Sequence, residues 1–123
     1  MNKKKVLVVD DESPIADMIS DFCQSFGFDA KTMNSGEDAL EAVKSYRPDL
    51  ITLDLIMTDL SGLEVLEMLK GDEETRKVPV IVISALANAG AAKEVLKLSQ
   101  GFLPKPLKMD VLEEKIGAVL ASS

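Results

Sequence analysis

The sequence predicts an α/β domain: a single doubly wound, five-stranded parallel sheet flanked by five helices. Three observations predict it. Short apolar runs dominated by Val, Ile and Leu alternate with segments of helical period, the pattern of a parallel sheet with crossover helices. Most of these runs set Val, Ile or Leu at successive rather than alternating positions, as strands covered on both faces do. Charged residues stand where the runs end: Asp10-Asp11 after KVLVV, Asp54 after DLITL, and Lys105-Pro106 after GFLP.

The first strand is KVLVV. Ser13 is expected to cap the first helix with Pro14 at its first position, where a missing N–H costs nothing. Ile15, Met18, Ile19, Phe22 and Phe26 have the spacing of its buried face, and Gly27 ends it. Phe28 to Met33 is more mixed in polarity and reads as an edge strand. Ser35 is expected to start the second helix, with Asp38 completing a variant capping box. Ala39, Leu40, Val43 and Tyr46 line its inner side, and Pro48 stops it. The third strand, Asp49 to Leu53, leads to Asp54. After the loop LIMTDLSG a third helix carries Leu63, Leu66 and Leu69 and ends near Gly71. GDEETRK is a charged connection to the β-branched fourth strand, Val78 to Ile83, which closes on Ser84-Ala85. A fourth helix is expected from about Asn88 to Leu98, a short fifth strand from Gly101 to Leu103, and a last helix from Leu107 to Leu120.

Right-handed crossovers restrict how these units wind. The order 2-1-3-4-5, the flavodoxin-like arrangement, sets strands one and three side by side at the switch point, where open α/β sheets bind ligands. Asp10, Asp11 and Asp54 then meet across one crevice, with Ser84 and Lys105 arriving from strands four and five.

Composition narrows the function. The 123 residues fit one domain, 1–123, and 46% apolar content supplies a core without disulfides. The single cysteine, Cys23, has no partner within the chain and is expected to pack rather than react. No apolar run approaches the roughly 20 residues of a membrane span, and KVLVV is too short for a signal-peptide core, so a cytoplasmic protein is expected. A net charge of −7 without a strong basic cluster argues against direct nucleic-acid binding. The chain has no histidine, which removes His-based catalysis and most zinc sites. No tryptophan and one tyrosine leave little for an aromatic stacking platform. The initiating Met and the full-length last helix slightly favour a stand-alone domain over one cut from a longer chain.

A lone Asp after a strand is ordinarily a cap or turn residue. Adjacent aspartates repel, however, and crowded carboxylates are costly unless a cation neutralises them. Oxygen ligands in this number suit Mg²⁺, which takes one or two carboxylates plus waters and substrate phosphate. Beside such an ion a phosphoryl group can approach acidic walls. Lys105 would pair with one of its oxygens and the Ser84 hydroxyl with another. Asp54, on the central strand, is best placed to attack phosphorus and form an aspartyl phosphate. Pro106 suggests a constrained bend, in which a cis Lys105-Pro106 bond would aim the lysine inward.

Taken together, VLVVDDE (Val6 to Glu12), DLITLDLIM (Asp49 to Met57), VPVIVISA (Val78 to Ala85) and FLPKP (Phe102 to Pro106) resemble the receiver domain of two-component response regulators over essentially the whole chain. The resemblance implies that Asp54 takes a phosphoryl group from a phosphohistidine on a histidine kinase or histidine phosphotransfer protein. It implies Mg²⁺ held by Asp11, Asp54 and the backbone carbonyl of Ile56, with Asp10 assisting. It gives Ser84 and Lys105 the hydroxyl and lysine places of the motif, and makes Phe102 the aromatic whose rotation accompanies activation. The readout would be altered binding of an unknown downstream protein through the face formed by helix four, strand five and helix five. Dimerisation on phosphorylation is allowed but unassigned. No multiple-turnover enzyme is implied, only self-catalysed phosphoryl transfer and autodephosphorylation.

The chain departs from the family pattern in places. Met57-Thr58 and Ser61-Gly62 replace the common Met-Pro and Asp-Gly, and Thr58 lacks proline's fixed φ. Leu98-Ser99-Gln100-Gly101 replaces a run of small or acidic residues, so the turn out of helix four is expected to differ. Ile56 and Leu86 are expected to overhang the phosphoryl group and lengthen the phosphoaspartate's life. Gly90, within a small-residue stretch, is expected to loosen the start of helix four. Three other functions compete. A flavodoxin-like cofactor binder needs a phosphate loop where Asp10-Asp11-Glu12 would repel one. A haloacid-dehalogenase-type phosphatase needs an Asp where Ile56 stands. A receiver-like interaction module that is never phosphorylated would have no use for all five site residues.

Overall fold

The computed structural model describes residues 3–55, 61–84, 93, 95 and 97–122. The five strands are β1 (Lys5–Val9), β2 (Asp29–Met33), β3 (Leu50–Leu53), β4 (Val80–Ser84) and β5 (Gly101–Pro104). They pair in the order β2-β1-β3-β4-β5, every pair parallel, as the crossover argument requires. Four helices are complete among the described residues: α1 (Ser13–Ser25), α2 (Ala39–Tyr46), α3 (Gly62–Gly71) and α4 (Met109–Ser122). Among the described residues the count is therefore four rather than the five expected. The helix expected near 88–98 falls largely outside the described residues, with helical backbone at Lys93, Val95, Lys97 and Leu98.

Strand alternation divides the core into two layers. Leu7, Val9, Ile51, Leu53, Val80 and Val82 pack on one side with Ala39, Val43, Val65, Leu66 and Leu69 from α2 and α3. Val6, Val8, Leu50, Ile81, Ile83 and Leu103 pack on the other with Ala16, Ile19 and Cys23 from α1 and Leu112, Ile116 and Val119 from α4. β1, β3 and β4 are buried almost throughout, whereas β2 alternates between exposed and half-buried positions, as its mixed polarity and edge position dictate. No helix among the described residues is long and apolar enough to cross a membrane.

Several local expectations are corrected. Glu12, not Ser13, is the N-cap of α1, with Pro14 inside the first turn. The stripe that α1 buries is Ala16, Ile19, Ser20 and Cys23, while Met18 and Phe26 are exposed. Phe22 and Phe26 instead stack edge to face, 4.4 Å between centroids. Gly27, at φ +89°, does end the helix. Its N–H donates to Gln24 O and that of Phe28 to Cys23 O, the paired bonds of a Schellman cap. α2 begins at Ala39 rather than Ser35, and its N-cap Asp38 makes no side-chain capping bond. It ends where Arg47 takes the left-handed conformation ahead of Pro48.

Gln100 explains how the altered run before β5 is accommodated. Its N–H donates to Val80 O at 2.8 Å and its side-chain Oε1 accepts from Val80 N–H at 2.7 Å. A polar side chain thus completes the ladder at the start of β4, where β5 has not yet begun.

Candidate functional site

The carboxyl ends of β1, β3, β4 and β5 lie along one edge of the sheet, and main-chain bonds between adjacent strand ends hold the site residues in place. Asp54 N–H donates to Val9 O at 3.0 Å, and Asp10 N–H to Met33 O at 3.0 Å. Lys105 N–H donates to Ser84 O, also at 3.0 Å, which ties the lysine to the end of β4. The Lys105-Pro106 peptide is cis. Gly62 N–H donates to Leu55 O at 2.8 Å and anchors the start of α3 against the chain just after Asp54. Ser61 caps that helix, its Oγ accepting from Glu64 N–H at 3.2 Å, so the serine at this position supplies a cap of its own.

Lys105 Nζ is the centre of the side-chain arrangement. It donates to Asp54 Oδ2 at 3.1 Å and to Asp10 Oδ2 at 3.3 Å, and lies 3.6 Å from Glu12 Oε1. The Asp10 and Asp54 side chains are 4% and 3% exposed, so the ammonium is the compensation that lets two neighbouring carboxylates stay buried. Burial pushes the Asp10 carboxyl above its ordinary range, and the nearby Asp54 charge pushes the same way. The Glu12 N–H bond to Asp10 Oδ1 (2.9 Å) and Lys105 pull it down without cancelling the rise. Burial by itself would lower the Lys105 ammonium, but its hydrogen bond to Asp54 and the two aspartate charges leave it raised.

The structure brings together Asp10, Asp54 and Lys105 as the sequence implies, with Ser84 fully buried at the adjoining strand end. Phe102 is half-buried against the α2/α3 layer, opposite Val82 in the β4–β5 register. By alternation Ser84 and Phe102 point to the same layer. Ile56 and Leu86, with Thr58 and Gly90, lie outside the described residues. Among the described residues, one carboxylate oxygen from each of Asp10, Glu12 and Asp54 lies within 4.8 Å of the others. Asp11, half-buried beside them, is not one of that trio.

Glu12 is the member that sequence reasoning left out. Its place follows from the backbone: β1 ends at Val9, the chain bends at Asp11, and the Glu12 N–H donates to Asp10 Oδ1 at 2.9 Å, a local arrangement that the sequence alone does not signal.

The donor set fits a hard divalent cation. Mg²⁺–oxygen bonds of about 2.1 Å put ligands across one ion about 4.2 Å apart, and carboxylate oxygens within 4.8 Å of one another approach that spacing. A site of buried carboxylates, one lysine and one hydroxyl at a sheet switch point suits phosphoryl chemistry better than acid–base or redox work.

Comparison with known proteins assigns the family. The family model for the response regulator receiver domain matches residues 6–117. The polar-differentiation response regulator DivK of Brucella ovis is 31% identical over 121 residues, covering 98% of each chain. DivK of Brucella anthropi is 30% identical over the same length. Among solved structures, the CheY-like receiver domain protein of Methanospirillum hungatei superposes with a TM-score of 0.92 at 21% identity, covering 98% of this chain and 96% of that one, a likeness of fold. Chemotaxis protein CheY4 of Vibrio cholerae gives 0.89 at 25% identity, covering 96% and 99%. With the sheet order, the strand-end charges and a match spanning nearly every element in agreement, this chain belongs to the response regulator receiver domain family.

Proposed function

We propose that Asp54 is the phosphoryl acceptor of a phosphorylation-dependent signalling switch, loaded from the phosphohistidine of a histidine kinase or phosphotransfer protein. The observation that carries this reading is the Lys105 ammonium held between Asp54 and Asp10 at the open edge of the sheet. An Asp54 carboxylate oxygen forms the new O–P bond while the P–N bond to the donor imidazole breaks, the electron pair leaving with the ring nitrogen. Lys105 moves from the carboxylates to a phosphoryl oxygen, exchanging one charge-assisted hydrogen bond for another. Asp10, Asp11, Asp54 and the Ile56 carbonyl are the groups that would hold Mg²⁺. When bound, that ion supplies charge neutralisation for the acidic cluster and the incoming phosphate.

Ser84 links loading to readout. Drawn toward the phosphoryl group, its hydroxyl leaves room on the layer it shares with Phe102, and an inward turn of that ring would repack the β5 surface and its neighbouring helices. A downstream protein then binds with changed affinity. No observation favours an interaction module that is never phosphorylated. The test is incubation with Mg²⁺ and acetyl phosphate followed by intact-mass analysis. One phosphoryl group is expected on the wild type and none on Asp54→Asn. Unmodified wild type, or equal modification of Asp54→Asn, would overturn the assignment.

A further inference from the structure

The acidic cluster contains one carboxylate that the proposed chemistry does not require. Glu12 Oε1 lies 3.6 Å from Lys105 Nζ, and its side chain is 60% exposed where those of Asp10 and Asp54 are almost wholly buried. Its main chain is fixed. The N–H donates to Asp10 Oδ1 at 2.9 Å, and the carbonyl accepts from Ile15 and Ala16 N–H at 3.1 and 3.0 Å. Its side chain takes no part in capping α1. The carboxylate can therefore be altered without disturbing the start of the helix.

We propose that Glu12 is a positioning residue for Lys105: a solvent-facing third anchor that retains the ammonium within the cluster between phosphorylation events and slows loading of Asp54. The inference rests on Asp54 being the acceptor. Before Asp54 can attack, Lys105 must leave its carboxylate for an oxygen of the incoming phosphoryl group. Every additional anion beside the ammonium resists that transfer. Glu12 also stands at the exposed side of the cluster, where its charge repels an approaching phosphate. Both effects slow loading, and both act through charge alone.

The experiment compares wild type, Glu12→Gln and Glu12→Asp with acetyl phosphate as donor, Mg²⁺ titrated to saturation, and intact mass followed in time. At low salt the saturating rate of Glu12→Gln should exceed wild type about two- to five-fold, the range an exposed ion pair commands. The excess should shrink toward unity near 1 M salt, where the screening length is about 3 Å. Glu12→Asp, which keeps the charge, should stay closer to wild type. A Glu12→Gln rate equal to or below wild type at low salt overturns the proposal, as does a ratio indifferent to salt. A raised Mg²⁺ requirement with an unchanged saturating rate makes Glu12 a metal ligand instead, and overturns it too. Wild type that takes up no phosphoryl group removes the acceptor reading and this inference with it, a failure distinct from the others.

Discussion

Gly62→Ala tests how tightly the start of α3 is built against the acceptor. A Cβ at position 62 would meet Asp54 O and Leu55 Cα, with Asp54 C at 2.9 Å, all of them backbone atoms. In a helix, alanine is worth up to about 1 kcal/mol over glycine. Overpacking a filled site costs about 1–3 kcal/mol, and backbone cannot swing aside as a side-chain tip can. The clash therefore wins, with a net loss of about 1–2 kcal/mol. Relief requires α3 to move outward, stretching the 2.8 Å Gly62 N–H to Leu55 O bond and loosening Val65, Leu66 and Leu69 in their layer. Urea unfolding measures the loss directly: with m of about 1–3 kcal/mol/M, the midpoint should fall by about 1 M. Phosphorylation by acetyl phosphate should slow in parallel, because the displaced atoms include the main chain of Asp54. A variant as stable as wild type and loaded at the same rate would refute this account of the close approach.

Three further outcomes are expected. Thr52 is buried in β3 between Val8 and Ile81, and its Oγ1 has no hydrogen-bond partner among the described residues; Thr52→Val should gain about 1 kcal/mol in urea unfolding, and a loss would show that the hydroxyl is satisfied. Burial pushes the Cys23 thiol up from 9.0 to about 11. The folded state thus holds its proton after the unfolded chain has released it, so this group's stabilising contribution is intact below pH 9 and fades between pH 9 and 11, by about 3 kcal/mol at most. Unfolding curves for wild type and Cys23→Ala should converge across that window, and a constant gap would contradict the burial argument. The Asp10 carboxyl is raised, so the folded chain carries its ionised form at a cost above the unfolded value of 3.8. Without Mg²⁺, Asp10→Asn should therefore melt above wild type at pH 7, and added Mg²⁺ should stabilise wild type more than the variant. Equal Mg²⁺ gains in both would remove Asp10 from the cation's surroundings.

The sheet was legible because its physics is local and periodic. Four apolar residues in succession, Val6 to Val9 in β1 and Val80 to Ile83 in β4, suit only a strand covered on both faces, and crossover handedness then leaves few orders. The strand-end charges were legible for the same reason, since topology carries them to one edge. Helix starts were less so, because Ser13 and Ser35 look like caps in sequence while backbone geometry gives that place to Glu12 and Asp38. The α1 stripe was misjudged because its buried positions, Ala16, Ser20 and Cys23, are small, and the large Met18 and Phe26 drew the pattern outward. Glu12 was passed over because an acid following two others reads as more of the same charge. What distinguishes it is tertiary: its carboxylate comes within 3.6 Å of the Lys105 ammonium, from the far end of the chain.

The central claim is that one carboxylate, that of Asp54, receives the phosphoryl group. Reducing the loaded protein with borohydride converts an aspartyl phosphate to homoserine, which peptide mass spectrometry places to the residue. Homoserine at position 54 alone, dependent on Mg²⁺ and lost in Lys105→Ala, is the expected result. Homoserine at Asp10, Asp11 or Glu12, or none anywhere after loading, would contradict it.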